Sequence, residues 1–221
     1  MRKIVIAVLL GNMVAAPAAN ATIFFDDFSS GISQWGNERG NWQATDGVYD
    51  AINPNNIPPT YTSAQTTVAL TDFILDVDVN SFRDGGLWLR SSYGPSGVNG
   101  VLLVTGGGSY DGLYWHILNN DSYSSPINRV AYSGLLLGSN VHIKVAVSGN
   151  EYKAYVNGEV NPLTTLTTDS FASGYVGLYD FSDQTFDNVR IEYGSNAVPE
   201  PVTMVLLGTG LVGMALRRRK V

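Results

Sequence analysis

Residues 22–193 alternate between apolar and polar side chains in many short runs, and this period of two limits what the chain can fold into. Phe73–Asn80 and Val141–Val147 each place an apolar residue at every second position. The second run is followed by a Gly149-Asn150 turn, a further strand and an Asn157-Gly158 turn. Such alternation is typical of half-buried β-strands, and no part of this region has a capped 3.6-residue period. The sequence therefore predicts an all-β domain.

The other predicted strands are short and are separated by turn residues. They are Thr22–Phe28, Trp42–Ala44, Val48–Ile52, Gly86–Ser91, Gly100–Thr105, Leu113–Leu118, Arg129–Tyr132, Tyr152–Val156, Tyr175–Phe181 and Thr185–Tyr193. About a dozen antiparallel strands in ~170 residues indicate a two-sheet β-sandwich of jelly-roll type or a barrel. A single domain over residues 22–193 is expected.

Composition and charge exclude several classes of protein. The chain has no Cys, which excludes a disulfide scaffold, a thiolate metal site and a Cys nucleophile. Of 13 basic and 19 acidic residues, 6 basic residues and 1 acidic residue lie in the two ends, so 7 basic and 18 acidic residues remain between them. A body with a net charge of −11 repels phosphates and anionic lipids, so nucleic-acid binding is not expected.

The first 21 residues have the layout of a secretory signal peptide. Arg2 and Lys3 form the positive start, Ile4–Leu10 is apolar throughout, and Ala19-Asn20-Ala21 is a small-residue cleavage site. The mature chain is therefore expected to begin at Thr22. Export without Cys is typical of a bacterial periplasmic or extracellular protein.

The C-terminus has three parts in order, which are Pro199-Glu200-Pro201, an apolar run over Val202–Leu216 and a basic tail over 217–220. This arrangement resembles the PEP-CTERM sorting signal. The resemblance implies a linker over 194–201, a transmembrane helix and basic tail over 202–221, and processing by an exosortase. It also implies a Gram-negative, exopolysaccharide-making host and release to the cell surface or matrix. A plain C-terminal membrane anchor is the alternative.

Several blocks across residues 24–193 carry a second resemblance. They are Asp26-Asp27-Phe28-Ser29, Gly40-Asn41-Trp42, Gly86-Leu87-Trp88-Leu89-Arg90, Tyr152–Gly158, Gly174-Tyr175-Val176-Gly177-Leu178 and Phe186-Asp187-Asn188-Val189. In this order they resemble concanavalin A-like, laminin G-like jelly rolls. Within that group they are similar to fructan-binding-type carbohydrate modules and to the 3-keto-disaccharide hydrolase domain. The resemblance implies the jelly-roll fold and does not identify a ligand.

Catalytic groups are few. Jelly-roll glucanases carry Glu-x-Asp-x-Glu, and none of the five Glu of this chain forms that pattern. Asp76 and Asp78 share a strand face and are the one candidate carboxyl pair, although such surface pairs are usually only solvated. No G-x-S-x-G motif is present, and His142 is expected to face solvent. No catalytic residue is therefore predicted.

A binding face is the stronger hypothesis, because sugar rings stack on aromatic side chains. Strand parity puts Trp88 and Arg90 on one face of their strand, and Tyr114 and His116 on one face of theirs. If both strands lie in one sheet, these four residues form a polar and aromatic patch. The alternative is that Trp88 packs against a loop and that Arg90 pairs with an acid such as Asp84.

Calcium is the one cofactor that the residues suggest. Asp26, Asp27 and Asp187 belong to the first and last strands, which often lie side by side in a sandwich. Asp187 shares the parity of Val189 and Ile191, so it is expected to point toward the core and to need a partner. The three carboxylates either bind a structural Ca²⁺ or accept hydrogen bonds from the protein.

Three functions remain open at this point. The first is a secreted, non-catalytic protein that binds a polysaccharide of the cell surface or matrix. The second is a glycoside-acting enzyme, by similarity to the 3-keto-disaccharide hydrolase domain. The third is a structural matrix protein without a small ligand. A carboxyl or His cluster in a deep pocket would favour the enzyme, and a shallow aromatic groove would favour binding.

Overall fold

The structure is a computed structural model that describes residues 21–54, 62–64, 68–107 and 112–194, with the backbone alone for 62–64. Residues 1–20 of the signal peptide predicted over 1–21, the Pro199-Glu200-Pro201 motif and the predicted helix over 202–221 lie outside the described residues. The described part of the chain contains strands and turns but no helix. It therefore contains no helix that could span a membrane.

Fifteen strands make up the described fold. In chain order they are β1 Thr22–Asp26, β2 Trp42–Thr45, β3 Val48–Ala51, β4 Thr62–Ala64, β5 Phe73–Asn80, β6 Gly85–Gly94, β7 Gly97–Thr105, β8 Gly112–Asn119, β9 Ser122–Tyr123, β10 Ile127–Ala131, β11 Val141–Ser148, β12 Glu151–Val156, β13 Thr164–Thr167, β14 Tyr175–Asp180 and β15 Thr185–Tyr193.

The strands form two antiparallel sheets, as the alternation predicts. The eight-stranded sheet has the order β13-β12-β11-β5-β15-β3-β2, with β1 paired to β15. The seven-stranded sheet has the order β10-β8-β7-β6-β14-β4, with β9 paired to β8. The all-β jelly-roll sandwich predicted from the sequence is confirmed, and β5 and β15 have the predicted bounds.

The two inner faces supply one continuous core. Its members alternate along each strand, such as Leu75, Val77 and Val79 on β5, and Ile143 and Val145 on β11. All five are fully buried. Burial of this apolar surface provides the main driving force for a fold that has no disulfide.

Three strands of the structure are not among those that the sequence predicts. They are β4, β9 and β13, which are short and rich in Ser and Thr. Thr and Ser carry no apolar alternation, so their strand conformation depends on pairing with β14, β8 and β12.

A buried carboxyl lies at the last residue of β14, Asp180, where the turn to β15 begins. Oδ1 of Asp180 accepts hydrogen bonds from the backbone N–H of Ser182 at 3.1 Å and of Gln184 at 3.2 Å. Oδ2 is buried and has no hydrogen-bond partner among the described residues. Burial raises the pKa of Asp180 from 3.8 to about 7, so the folded protein retains a proton there that the unfolded chain has released.

The free energy of unfolding is therefore expected to depend on pH through Asp180. A raised folded-state pKa contributes stability that is complete below pH 3.8 and is lost as the pH rises through about 7. The substitution Asp180→Asn keeps the Oδ1 acceptor and carries no charge. Relative to the unchanged protein, this variant should gain about 2–4 kcal/mol between pH 4 and pH 8.

Urea denaturation at several pH values measures this gain. Asp169→Asn is the control, because Asp169 is an exposed aspartate whose charge is not among the causes that raise the pKa of Asp180. Parallel pH profiles for Asp180→Asn and the unchanged protein would contradict the prediction.

Candidate functional site

A cavity of about 360 Å³ opens on the outer face of the seven-stranded sheet. Strand register builds its base from a row of outward-facing residues, in the order Tyr114, Val104, Gly86 and Tyr179. Three strand spacings of ~4.8 Å separate the two tyrosines, so the row spans about 14 Å. Gly86 and Val104 are small, and the row is therefore low in the middle and aromatic at both ends.

Residues of a second row and of two loops complete the lining. His116 and Leu102 form a second row beside the first. Tyr123, on β9, and Phe181, directly after β14, add aromatic rings to the lining. Pairing of β9 with β8 brings the Tyr123 ring to 5.1 Å from His116. The backbone N–H of Phe181 donates to the carbonyl of Asp84, which holds the β14 end beside the start of β6.

Two acidic residues, Asp84 and Asp121, also line the cavity. Asp121 lies in the turn between β8 and β9, where its Oδ1 accepts a hydrogen bond from the Val98 N–H at 2.7 Å. Its Oδ2 accepts one from Arg39 at 2.9 Å. Gly97 permits this approach, because a Cβ there would lie 2.4 Å from the Asp121 carboxyl carbon and its φ is +119°.

The cavity is acidic and its phenols stay neutral. Burial is the main reason that the pKa values of Tyr114, Tyr123 and Tyr179 are raised, and the negative charge of Asp84 adds to each. Burial lowers the pKa of His116, so its imidazole is neutral at pH 7. No Lys or Arg is among the described residues that line the cavity.

Two polar side-chain atoms of the cavity lining are buried and lack a hydrogen-bond partner among the described residues. They are the His116 Nδ1 and the Tyr123 hydroxyl. Buried polar groups are usually satisfied, and those that are not often mark a functional surface. They can orient a ligand by hydrogen bonds while the rings provide stacking surfaces.

Trp88 faces the same side as His116, as its parity predicts, but its side chain is 0% exposed. It packs in a separate outer cluster with Val98, Leu102 and Tyr179, and its ring lies 6.3 Å from that of Tyr179. The expectation that the Trp88 ring is presented on the surface is therefore wrong. Trp88 instead supports the aromatic wall from below.

Arg90 does not share the face of Trp88, because a β-bulge interrupts β6. The register shifts between Leu89 and Ser92, and Arg90 has a φ of +49°. Such a bulge changes strand parity by one residue, so the Arg90 side chain turns away from the cavity. The expected four-residue patch therefore contains Tyr114 and His116 at the surface, Trp88 beneath them, and not Arg90.

The guanidinium of Arg90 is 3% exposed, and protein groups occupy its donors. Nε and Nη2 donate to the Thr71 carbonyl, and Nη1 donates to the Phe171 carbonyl and the Tyr152 hydroxyl. Nη2 also lies 3.4 Å from an oxygen of Asp72. Arg90 borders a second cavity of about 350 Å³, which also includes Asp169, but it has no donor left for a ligand there.

The three acids proposed for calcium do not form a shared ion site in the described part of the chain. Asp26 is buried and accepts from the Phe28 N–H and the Trp35 Nε1, both at 2.8 Å. Asp27 is exposed and accepts from Ser29. A second bulge at Asn188, with a φ of +49°, turns Asp187 to the outer face, so the expectation that it points toward the core is wrong.

Metal-site geometry is absent from the described residues, where no group of three or more His, Asp or Glu could hold an ion. Partial burial raises the pKa of Asp187, and the nearby charges of Asp78 and Asp27 add to this effect. Asp26 therefore has the hydrogen-bonded role that the sequence left as the alternative to Ca²⁺.

The Asp76 and Asp78 pair lies on the outer face of the eight-stranded sheet with His142 between the two carboxylates. The imidazole Nδ1 lies 2.7 Å from Asp78, and Nε2 lies 3.3 Å from Asp76. These hydrogen bonds, to Asp76 and then to Asp78, raise the pKa of His142. Lys144 and Asn188 also contact the pair, which is therefore a surface charge network and not an open carboxyl pair.

Seven lining residues were not among the predicted site residues, namely the apolar Leu102 and Val104 together with Asp84, Asp121, Tyr123, Tyr179 and Phe181. Strand parity could have identified Tyr179 as outward-facing, because its neighbour Leu178 lies in the core. Tyr123 and Asp121 lie in a turn and a two-residue strand, which carry no periodic signal.

Residues 197–220 match the PEP-CTERM protein-sorting motif. This motif indicates a protein that is exported and sorted to the cell envelope or surface, and it implies processing by an exosortase. No curated protein matches the chain significantly.

Solved structures share the fold at low sequence identity. The carbohydrate-binding module CBM66 from Bacillus subtilis is 16% identical, with a TM-score of 0.55 over 74% of this chain and 94% of that one. A β-1,3-1,4-glucanase (lichenase) from a mouse hindgut metagenome is 12% identical, with a TM-score of 0.56 over 78% and 98%. A galectin-like protein of unknown function from Bacillus subtilis is 10% identical, with a TM-score of 0.56 over 76% and 94%. The chain thus carries a PEP-CTERM sorting motif after a jelly-roll fold of the kind found in carbohydrate-binding modules and glycosidase-like proteins.

Proposed function

We propose that this protein binds a glycan through the cavity on the outer face of the seven-stranded sheet. The observation that carries the proposal is the set of rings around one opening of about 360 Å³, from Tyr114, His116, Tyr123, Tyr179 and Phe181. Tyrosine and Phe rings provide stacking surfaces for the apolar faces of sugars. The volume lies within the range of small-ligand sites, and the mixture of rings and a few polar groups is typical of them.

The polar groups of the cavity suit sugar hydroxyls. The His116 Nδ1 and the Tyr123 hydroxyl lack partners among the described residues, and a hydroxyl can both donate and accept. Of the four residues proposed from the sequence, Tyr114 and His116 would contact the ligand and Trp88 would support them. Arg90 would contribute only to stability.

The sorting motif supports binding at the cell surface or in the extracellular matrix. We propose that the exosortase processes the tail near Pro199-Glu200-Pro201 and releases the protein to the cell surface or exopolysaccharide matrix of a Gram-negative bacterium. Before processing, the run Val202–Leu216 would hold it in the membrane. A polysaccharide of that matrix is the ligand that this location favours.

We propose that the binding is non-catalytic. The second candidate function is that of a glycoside-acting enzyme. The observation that favours an enzyme is the presence of two carboxyl residues, Asp84 and Asp121, in one cavity. Against it, both oxygens of Asp121 already accept hydrogen bonds, from Val98 and Arg39. Release of reducing sugar from a bound polysaccharide, lost in Asp84→Asn, would establish the enzyme and exclude the non-catalytic proposal.

Affinity electrophoresis of the purified protein against a panel of polysaccharides tests the proposal. We expect at least one polysaccharide to retard the protein, and Tyr114→Ala to weaken that binding about 5-fold, since a lost stacking contact contributes about 1 kcal/mol. Tyr155→Ala is the matched control, because Tyr155 lies on the outer face of the opposite sheet and is similarly half-buried.

Retardation that is equal in Tyr114→Ala and Tyr155→Ala would place the glycan elsewhere and contradict the proposal. No retardation by any polysaccharide would favour a structural matrix protein. Runs with and without EDTA test whether the binding depends on Ca²⁺, since a Ca²⁺-dependent domain would lose its retardation with the ion.

A further inference from the structure

A second cavity, of about 350 Å³, opens at one end of the sandwich and has no described lining residue in common with the first cavity on the seven-stranded sheet. Its lining comes from the segment before β5, the β11–β12 turn and the β13–β14 loop, together with Arg90. Register brings these segments together, since Phe73 pairs with Val147 and Glu151 pairs with Thr167. We propose that this cavity is a second carbohydrate site, which takes a single sugar residue such as a chain end or a side branch.

The buried Arg90 holds the three segments in place. Its Nε and Nη2 donate to the Thr71 carbonyl at 2.8 and 2.6 Å, and its Nη1 donates to the Phe171 carbonyl at 2.9 Å. Asp72, which follows Thr71, accepts from the Gly149 N–H at 2.9 Å and so fixes the β11–β12 turn. A bulge and a non-Gly residue with positive φ are both common beside functional sites, and Arg90 combines the two. Arg90 is therefore a positioning residue that makes the cavity rigid.

Two polar side chains of this lining are free to meet a ligand. Asn150 and Asp169 are exposed, and neither side chain has a hydrogen-bond partner among the described residues. Their backbone is nevertheless fixed, because the Thr168 N–H donates to the Asn150 carbonyl at 2.9 Å and the Thr168 and Ser170 hydroxyls lie 2.8 Å apart. An amide both donates and accepts, and a carboxylate accepts strongly, so the two groups complement the hydroxyls of a sugar.

Phe171 supplies the one aromatic ring among the described lining residues of the second cavity. It is partly buried and packs against the main core, so the ring is held firmly while it borders the opening. A ring face is a stacking platform for the apolar face of a sugar. The first cavity instead has rings at both ends of a row about 14 Å long. A single platform with two polar groups beside it therefore favours one sugar residue over an extended chain segment.

Two separate sites give the protein a way to join polysaccharide chains. The first cavity lies on the outer face of a sheet and the second lies at an end of the sandwich, so the two do not compete for the same sugar residues. Binding at one site raises the effective concentration of the same polysaccharide at the other, which strengthens the overall attachment. This consequence rests on the proposed function of the first cavity, whereas the second site itself does not.

Amide NMR titration of the purified protein with the methyl glycosides of glucose, galactose and mannose tests the second site. We expect at least one of the three glycosides to shift the amide signals of Gly149, Asn150 and Asp169. Asn150→Ala should weaken the binding of that glycoside about 5-fold, as expected for the loss of one neutral hydrogen bond. Asp169→Asn should weaken it about 10-fold, because a hydrogen bond to a charged group contributes more.

Asn161→Ala is the matched control, because Asn161 is an exposed asparagine in the loop at the other end of β12 and should leave the affinity unchanged. If none of the three glycosides shifts the signals of Gly149, Asn150 and Asp169, the inference is overturned. Equal affinities in Asn150→Ala and Asn161→Ala would overturn it as well. Both results leave the first cavity untouched, since the polysaccharide panel with Tyr114→Ala tests that site separately.

Discussion

Replacing Arg90 by Met is expected to lower the free energy of unfolding by about 3–5 kcal/mol. The guanidinium is 3% exposed and donates to the Thr71 and Phe171 carbonyls and to the Tyr152 hydroxyl. A methionine fills much of the volume but leaves these acceptors unsatisfied, and each costs about 1–3 kcal/mol when buried without a partner. Contact of the guanidinium with the Tyr152 ring, at 5.3 Å, would also be lost.

Urea denaturation measures this loss, and two variants keep the test specific. Arg90→Lys retains the charge but cannot reproduce a planar set of five donors, so it should also be destabilised. Lys153→Ala removes an exposed cation whose partner is Glu151, and it should leave stability unchanged. If Arg90→Met is as stable as the unchanged protein but loses glycan binding, Arg90 is a ligand contact and its structural role is refuted.

The second large effect is expected for Trp88→Ala, which should cost about 3–5 kcal/mol. Trp88 is fully buried between Leu102, Val98 and Tyr179, so truncation leaves a large cavity beneath the aromatic wall. Because Tyr179 packs on this ring, we expect glycan affinity to fall as well, as a consequence of the lost support.

Trp88→Phe separates support from direct contact. The Trp88 Nε1 has no hydrogen-bond partner among the described residues, so phenylalanine removes volume without breaking a hydrogen bond in that part of the fold. This variant should keep most of the stability and bind glycan as tightly as the unchanged protein. A stable Trp88→Phe protein with at least about 10-fold weaker binding would indicate that the indole touches the ligand.

Much of the fold was predictable because alternation is a local property. In β5 and β11, every second residue is apolar, and each of those residues is buried in the structure. The outward direction of Tyr114 and His116 followed in the same way from β8, whose inward residues Leu113 and Trp115 lie in the core. The period of two assigned faces correctly wherever the strand is regular.

Two positions show where this inference stops. Arg90 and Asn188 have φ values near +49° and lie at bulges in β6 and β15. Each bulge shifts the parity of the residues around it, which moved Arg90 out of the expected patch and Asp187 out of the expected core. Neither bulge has a Gly at the residue with positive φ. Asn adopts this conformation more readily than most residues, so Asn188 carries a weak local signal, whereas Arg90 carries none.

The sequence by itself determined that the chain is all-β, that its central part is acidic, and which side chains alternate toward the core in regular strands. It also determined the sorting motif, because that signal is a contiguous segment. The tertiary structure alone decided the site. Tyr114 and Tyr179 are distant in the chain, and the pairing of four strands places them at the two ends of one row. Pairing register and bulges depend on contacts between distant segments, and a local pattern cannot encode them.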